Sequence, residues 1–110
     1  MASRKLKVTY YADKDILCLE VVPPRPAKVE ENEFGVLIRY DWEDGTTIVG
    51  FEILDFARHF IPFLYHPDAF PKEALSLRFD VDEAGLKDAD IRQVIEWAYR
   101  HLVAERLVLV

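Results

Sequence analysis

Leu6-Lys7-Val8-Thr9-Tyr10-Tyr11-Ala12-Asp13-Lys14-Asp15-Ile16-Leu17-Cys18-Leu19-Glu20-Val21-Val22 is the stretch on which the fold turns. Leu6, Val8 and Tyr10 alternate with Lys5, Lys7 and Thr9, and a period of two marks a half-buried strand. Ala12-Asp13-Lys14-Asp15 is a polar turn, in which an Asp side chain can bond its own backbone. Ile16 to Val22 is almost wholly apolar, which predicts a strand covered on both faces. The two segments form a hairpin.

Outward from this hairpin, Pro23-Pro24-Arg25-Pro26 removes backbone donors and ends the second strand in a loop or sheet edge. Ala27 to Phe34 reads as a polar edge strand, since charge at an edge discourages aggregation. After Gly35, Val36, Ile38 and Tyr40 share one face, with Leu37 and Arg39 opposite. Asp41-Trp42-Glu43-Asp44-Gly45 is a turn, and its Asp-Gly pair is a hairpin signal because Gly takes the positive φ that tight turns need. Thr46 to Leu54 returns, with Gly50 marking a bulge or a close backbone approach.

Beyond Asp55 the texture changes. Asp55 can cap a short helix that runs to His59 or Phe60 and ends at Pro62. Residues 61 to 73 are aromatic and broken by prolines. Leu75, Leu77 and Phe79 alternate with Ser76 and Arg78, predicting one more strand, with Gly85 and Lys87 in a turn. Asp88 is the expected N-cap of the last helix, with Asp90 in its first turn to complement the macrodipole. Ile91, Val94, Ile95, Ala98, Leu102 and Val103 form its apolar stripe. Arg100, His101 and Arg106 lie late, where positive charge is favoured. Leu107 to Val110 reads either as a last helical turn or as a strand added to another chain.

The fold class is therefore α+β, an antiparallel β-meander of about five to six strands packed against one C-terminal helix, with a short helix after the meander. Residues 1–110 read as a single domain, with a meander core at 5–58. An aromatic flap, an extra strand and the C-terminal helix follow at 59–110.

The composition is globular, with 51% hydrophobic and 13% aromatic residues. A net charge of −6 repels phosphate backbones and anionic membranes, so neither nucleic acid nor membrane is an expected partner. The chain has one cysteine, Cys18, which fits a reducing compartment, and no apolar run reaches signal-peptide or membrane-span length. The expected location is cytoplasmic.

A search for chemistry leaves little. Gly35, Gly45, Gly50 and Gly85 are too scattered to cradle a phosphate. Neither Ser3 nor Ser76 sits in a nucleophile elbow. Cys18 lies in an apolar strand and reads as a packed thiol, because a reactive thiolate needs a positive, partly exposed setting. The spacing of His59 and His66 suits no regular metal site, and zinc there would need carboxylates from elsewhere. Asp80-Val81-Asp82-Glu83-Ala84-Gly85 superficially matches a calcium loop, but Ile91 stands where the bidentate Glu is required. Glu30, Glu31, Glu33, Asp41, Glu43 and Asp44 lie in polar turn and edge sequence, not in the dry setting that acid–base work needs. No catalytic, cofactor-binding or metal-ligating residue is assigned, and no cofactor is expected. The unusual stretch is Phe56 to Phe70. It reads first as a flap over one face of the sheet, next as an exposed interface formed by Phe56, Phe60, Phe63, Tyr65 and Phe70. A small-molecule pocket beneath it is the third reading.

Tyr10-Tyr11-Ala12-Asp13-Lys14-Asp15-Ile16-Leu17-Cys18-Leu19 resembles the opening of small bacterial domains of unknown function catalogued as family 2283. Val36-Leu37-Ile38-Arg39-Tyr40-Asp41, Gly45, and Ile48-Val49-Gly50-Phe51-Glu52-Ile53-Leu54-Asp55 resemble that family's closing hairpin. The resemblance covers about residues 5–58, and it implies a compact meander followed by a short helix. It implies no reaction and no catalytic residues. Its pointer to small partners of toxin-type proteins motivates an antitoxin-like or regulatory subunit for a basic partner protein. The chain departs from the family in its Pro-rich loop at 23–26 and in its long C-terminal half. Against the absence of a catalytic constellation, the leading expectation is a small non-enzymatic binding or self-assembling module, a homodimer. A ligand-binding protein or enzyme with a pocket under residues 56–70 is the remaining alternative.

Overall fold

The computed structural model describes residues 3–104. Seven strands form one sheet: β1 (Arg4–Tyr11), β2 (Ile16–Val21), β3 (Ala27–Glu31), β4 (Val36–Asp41), β5 (Ile48–Ile53), β6 (Phe79–Val81) and β7 (Leu86–Ala89), in the order β3-β4-β5-β2-β1-β6-β7. The α+β class holds, with a C-terminal helix present. β1 and β2 pair antiparallel from Leu6↔Val21 to Tyr11↔Ile16, as their alternation predicts. β3, β4 and β5 follow as a second antiparallel unit. β5 then pairs with β2, so the loop after β2, which contains a cis Val22–Pro23 bond, crosses to the far edge. β3 is that edge strand, and its Lys28, Val29, Glu30 and Glu31 are exposed.

β2 corrects one expectation. Leu17, Leu19 and Val21 are buried, but Ile16, Cys18 and Glu20 on the other face are only half-buried. An antiparallel sheet can leave one face wet, and this one does so despite the apolar run.

Gly50 is both things the sequence allowed. Register slips between Arg39 and Tyr40, leaving Val49 without a partner across β4. A Cβ on Gly50 would stand 2.8 Å from the Leu19 carbonyl oxygen and 3.2 Å from Arg39 Cδ. The first contact is with backbone and cannot swing away. Gly50→Ala is expected to destabilise by about 1–3 kcal/mol, the usual range for overpacking, as read from a urea midpoint. A midpoint equal to that of the native chain would refute the close approach.

The Asp41–Gly45 turn is built as predicted. Gly45 has φ 68° and donates its N–H to the Asp41 carbonyl. The Asp44 carboxylate accepts from the Thr47 hydroxyl and from the Thr47 and Thr46 N–H groups, which holds its pKa down at about 2.

The second half brings more corrections. The chain leaves β5 into a π-helical turn, Phe56–Phe60, and Pro62 does not stop it, because a 3₁₀ turn, Ile61–Phe63, accepts proline near its start. Leu75 does not begin a strand. It ends a short helix, α1 (Lys72–Leu75), and strand geometry begins only at Phe79. Leu75 and Leu77 still pack on the core beside buried Phe79, which produces the alternation without a strand. β6 lies parallel to β1, with Arg4↔Phe79 and Lys5↔Asp80, so the sheet is mixed. Lys87 lies in β7, and only Gly85, at φ 66°, makes the turn.

The last helix, α2 (Ile91–Ala98), is capped two residues later than expected. Asp90, not Asp88, accepts from the Gln93 N–H, and Gln93 Oε1 accepts from the Asp90 N–H, a reciprocal capping box. Asp88 instead sits at φ 52° in β7. Ile91, Val94, Ile95, Ala98 and Val103 are buried and Leu102 half-buried, so the stripe is as read. A π-helical turn, Tyr99–Ala104, extends α2. Arg106 and Leu107 to Val110 lie outside the described residues. Asp90→Ala is expected to cost about 1 kcal/mol through the lost cap, visible as a small fall in thermal midpoint. No change would place the helix start elsewhere.

One core cluster gathers residues from both halves, from Leu6 and Leu19 through Phe51, Phe56 and Phe60 to Ile91 and Val103. It lies between the inner sheet face and the layer made by residues 56–75 and α2.

Candidate functional site

The aromatic stretch divides by burial. Phe56, Phe60 and Phe70 are 0%, 1% and 2% exposed and belong to the core, whereas Phe63 and Tyr65 are 43% and 62% exposed. The rings of Phe56 and Phe60 stack at 6.3 Å, and Phe70 meets Phe60 and Phe51 edge-on at 6.0 Å. The stretch is thus mainly a flap over the inner face. What reaches solvent is a small ledge, where Phe63 and His66 flank Phe34 at 5.6 and 4.7 Å and Arg92 lies over Tyr65 at 5.4 Å. Arg92 also donates to the Leu64 and His66 carbonyls, which fixes the ledge to α2.

Asp15, to all local appearance an ordinary turn residue, ties this half to the first. Asp15, 6% exposed, accepts from the Tyr10 hydroxyl at 2.7 Å, the Ala57 N–H at 2.8 Å and the Arg58 N–H at 3.1 Å. Its own carbonyl accepts from the Phe56 N–H. Asp15 therefore caps the turn at 56–60, and Asp55, at φ 49°, makes no side-chain cap. Burial alone would raise the Asp15 pKa. The bonds from Ala57, Tyr10 and Arg58, with the Arg58 charge, outweigh it and hold the carboxyl below its usual value.

The outer face of the sheet has no covering layer among the described residues. Register sets Lys7, Glu20, Gly50 and Arg39 in one row across β1, β2, β5 and β4, and Thr9, Cys18, Glu52 and Leu37 in the next. A shallow groove of about 190 Å³ opens along these rows, lined by Lys7, Thr9, Cys18, Glu20, Arg39 and Glu52. Arg39 pairs with Glu52 at 3.6 Å across it. Cys18 lies in the groove, where burial first, then the charges of Glu52 and Glu20, push its thiol pKa up against the opposing pull of Arg39. A raised pKa keeps the thiol protonated and a weak nucleophile.

Other sequence candidates are dispersed. His59 is exposed on the turn, while His66 Nδ1 accepts from the Asp68 N–H. Among the described residues no three His, Cys, Asp or Glu side chains converge as metal ligands. Asp80 of the calcium-like segment accepts from the Asp88 N–H, and Asp82 pairs with Lys5 at 3.3 Å. Asp41 and Glu43 share Arg25, at 2.8 and 3.5 Å, whereas Glu30 and Glu31 are exposed on β3. A cleft of about 460 Å³ does open beside Phe70, between β3–β4 and residues 67–72, with Tyr40, Glu30 and Asp68 on its walls. No helix among the described residues is long and apolar enough to cross a membrane.

Residues 7–56 match the model of a family described as a protein of unknown function, DUF2283. The likeness covers 50 of the chain's 110 residues, from β1 to the turn after β5, and it includes the Tyr-Asp turn and the closing hairpin that carried the resemblance. The match ends at Phe56, the residue whose N–H is held by the Asp15 carbonyl. No curated protein and no solved structure matches the chain.

Proposed function

We propose that the protein is a small non-enzymatic module that self-associates as a homodimer, in the cytoplasm of a bacterium. The observation that carries this reading is the one-sided sheet. Its central strand β2 packs Leu17, Leu19 and Val21 inside, yet leaves Ile16, Cys18 and Glu20 half-buried under no second layer among the described residues. A strand that presents Ile16 and Cys18 on its outward side is suited to a face that a second surface covers. The side chains that acid–base, nucleophilic or metal chemistry requires are, by contrast, dispersed or held in structural bonds.

A native mass spectrum of protein taken from its own cell tests the proposal. The expected species has twice the chain mass of 12.8 kDa. A stoichiometric complex with a basic protein would instead favour the regulatory-subunit reading, which the net charge of −6 supports. The cleft beside Phe70 supports a ligand carrier, since about 460 Å³ falls within the size range of small-molecule sites. A retained small molecule or metal in the spectrum would favour that reading.

A further inference from the structure

We infer that the outer face of the β1–β5 sheet is the surface on which a second copy of this chain seats, a step that rests on the self-association proposed above. The argument begins with charge. The chain carries −6, so two copies repel over most of their surface. On the outer face both signs are present. Lys5 and Lys7 on β1 and Arg39 on β4 stand among Glu20 on β2, Glu52 on β5 and Glu31 on β3, and Asp41 of β4 is held by Arg25. A patch of mixed sign is where an acidic protein can approach itself with the least like-charge repulsion.

The apolar content of the face is placed to match. Tyr11 on β1 and Val29 on β3 are 49% and 48% exposed, at opposite margins. Ile16, Cys18 and Leu37 lie half-buried between them. The groove beside Cys18, walled by Lys7, Thr9, Glu20, Arg39 and Glu52, offers a recess into which a partner's side chain can insert. A symmetric dimer presents one patch to itself. Cys18, paired with Thr9 on one side and Glu52 on the other, is at the middle of this patch and becomes covered when it closes.

Because Cys18 is the chain's only cysteine, it reports on the face directly. The full chain is treated with methyl methanethiosulfonate at mildly alkaline pH over a dilution series. Label is read by mass spectrometry and association by sedimentation of the same samples. The expected result is that Cys18 modification slows severalfold as the protein passes from monomer to dimer, and that Thr9→Arg abolishes both the dimer and the concentration dependence. Circular dichroism and the thermal midpoint show whether Thr9→Arg is folded, and Lys7→Glu serves as a second variant, expected to weaken the dimer by unbalancing the face. A dimer whose Cys18 reacts at an unchanged rate, or one that survives Thr9→Arg intact, overturns this inference and leaves self-association standing through another surface. A monomer at every concentration overturns both.

Discussion

Replacing Asp15 by alanine is expected to destabilise the protein by about 4 kcal/mol. Bonds to a charged group contribute about 1.5–3 kcal/mol each and are not additive. Three donors, the Tyr10 hydroxyl and the Ala57 and Arg58 N–H groups, lose their acceptor together. They lie in a part-buried setting where water replaces the carboxylate poorly. Asp15 also has φ 55°, a left-handed conformation that alanine adopts at a cost of about 1 kcal/mol or more. At roughly 5 °C per kcal/mol for a domain of this size, the thermal midpoint falls by roughly 20 °C. Asp15→Asn tolerates the backbone and keeps one acceptor oxygen, so its loss is smaller. Asp15→Gly relieves the backbone and still lacks the acceptor. The ranking Asn, Gly, Ala in increasing damage is the signature, and a thermal midpoint unchanged in both Asp15→Asn and Asp15→Gly would mean that the carboxylate bonds contribute nothing.

The same group gives a pH dependence with a definite sign. Its folded pKa lies below its ordinary value of 3.8, so the folded state binds this proton less readily than the unfolded chain. The stabilisation is complete above the unfolded value and is lost as pH falls through the folded one. The native chain should lose stability below about pH 4, and Asp15→Asn should flatten that part of the curve. A mutant curve parallel to the native one throughout the acid range would contradict it.

The second large effect is at Phe56. Its ring is fully buried and touches Tyr10 edge-on at 5.9 Å, Phe60 at 6.3 Å and Tyr99 at 6.2 Å. These neighbours come from β1, the π-helical turn and the extension of α2. Phe56→Ala removes the ring that all three share and is expected to cost about 3–5 kcal/mol, the range for large-to-small changes at buried aromatics. Phe56→Leu preserves most of the volume and should cost less. Since the ring bridges the β1–β5 sheet and the half that follows it, both should unfold together in either variant. Amide exchange would show protection falling in β2 and α2 alike. Protection lost in α2 alone, with β2 untouched, would show the second half to be a separate folding unit.

The first half was legible because its signals are local. Alternation marks β1, the Asp44–Gly45 pair marks the second hairpin, and the absent side chain at Gly50 marks a close approach. The second half was less so because its decisive partners are distant in sequence. β6 pairs parallel with β1, and a parallel pair needs a long crossover that no local pattern announces. Asp15 looked like an ordinary turn residue, because its ligands, Ala57 and Arg58, come from another segment. The cap moved from Asp88 to Asp90 because Gln93 completes a reciprocal box with Asp90, a spacing that was present in the sequence. The interface residues chosen from sequence were too many for a related reason. A run of Phe and Tyr has the same composition whether it faces in or out, and burial keeps only Phe63 and Tyr65 at the surface.

Self-association through the outer face is tested most directly by sedimentation of the native chain beside Thr9→Arg over a common dilution series. The native chain is expected to run as a dimer that dissociates on dilution, and Thr9→Arg as a folded monomer of 12.8 kDa throughout. A native chain that stays monomeric at the highest concentration, or a variant that sediments identically to a native dimer, would contradict the account.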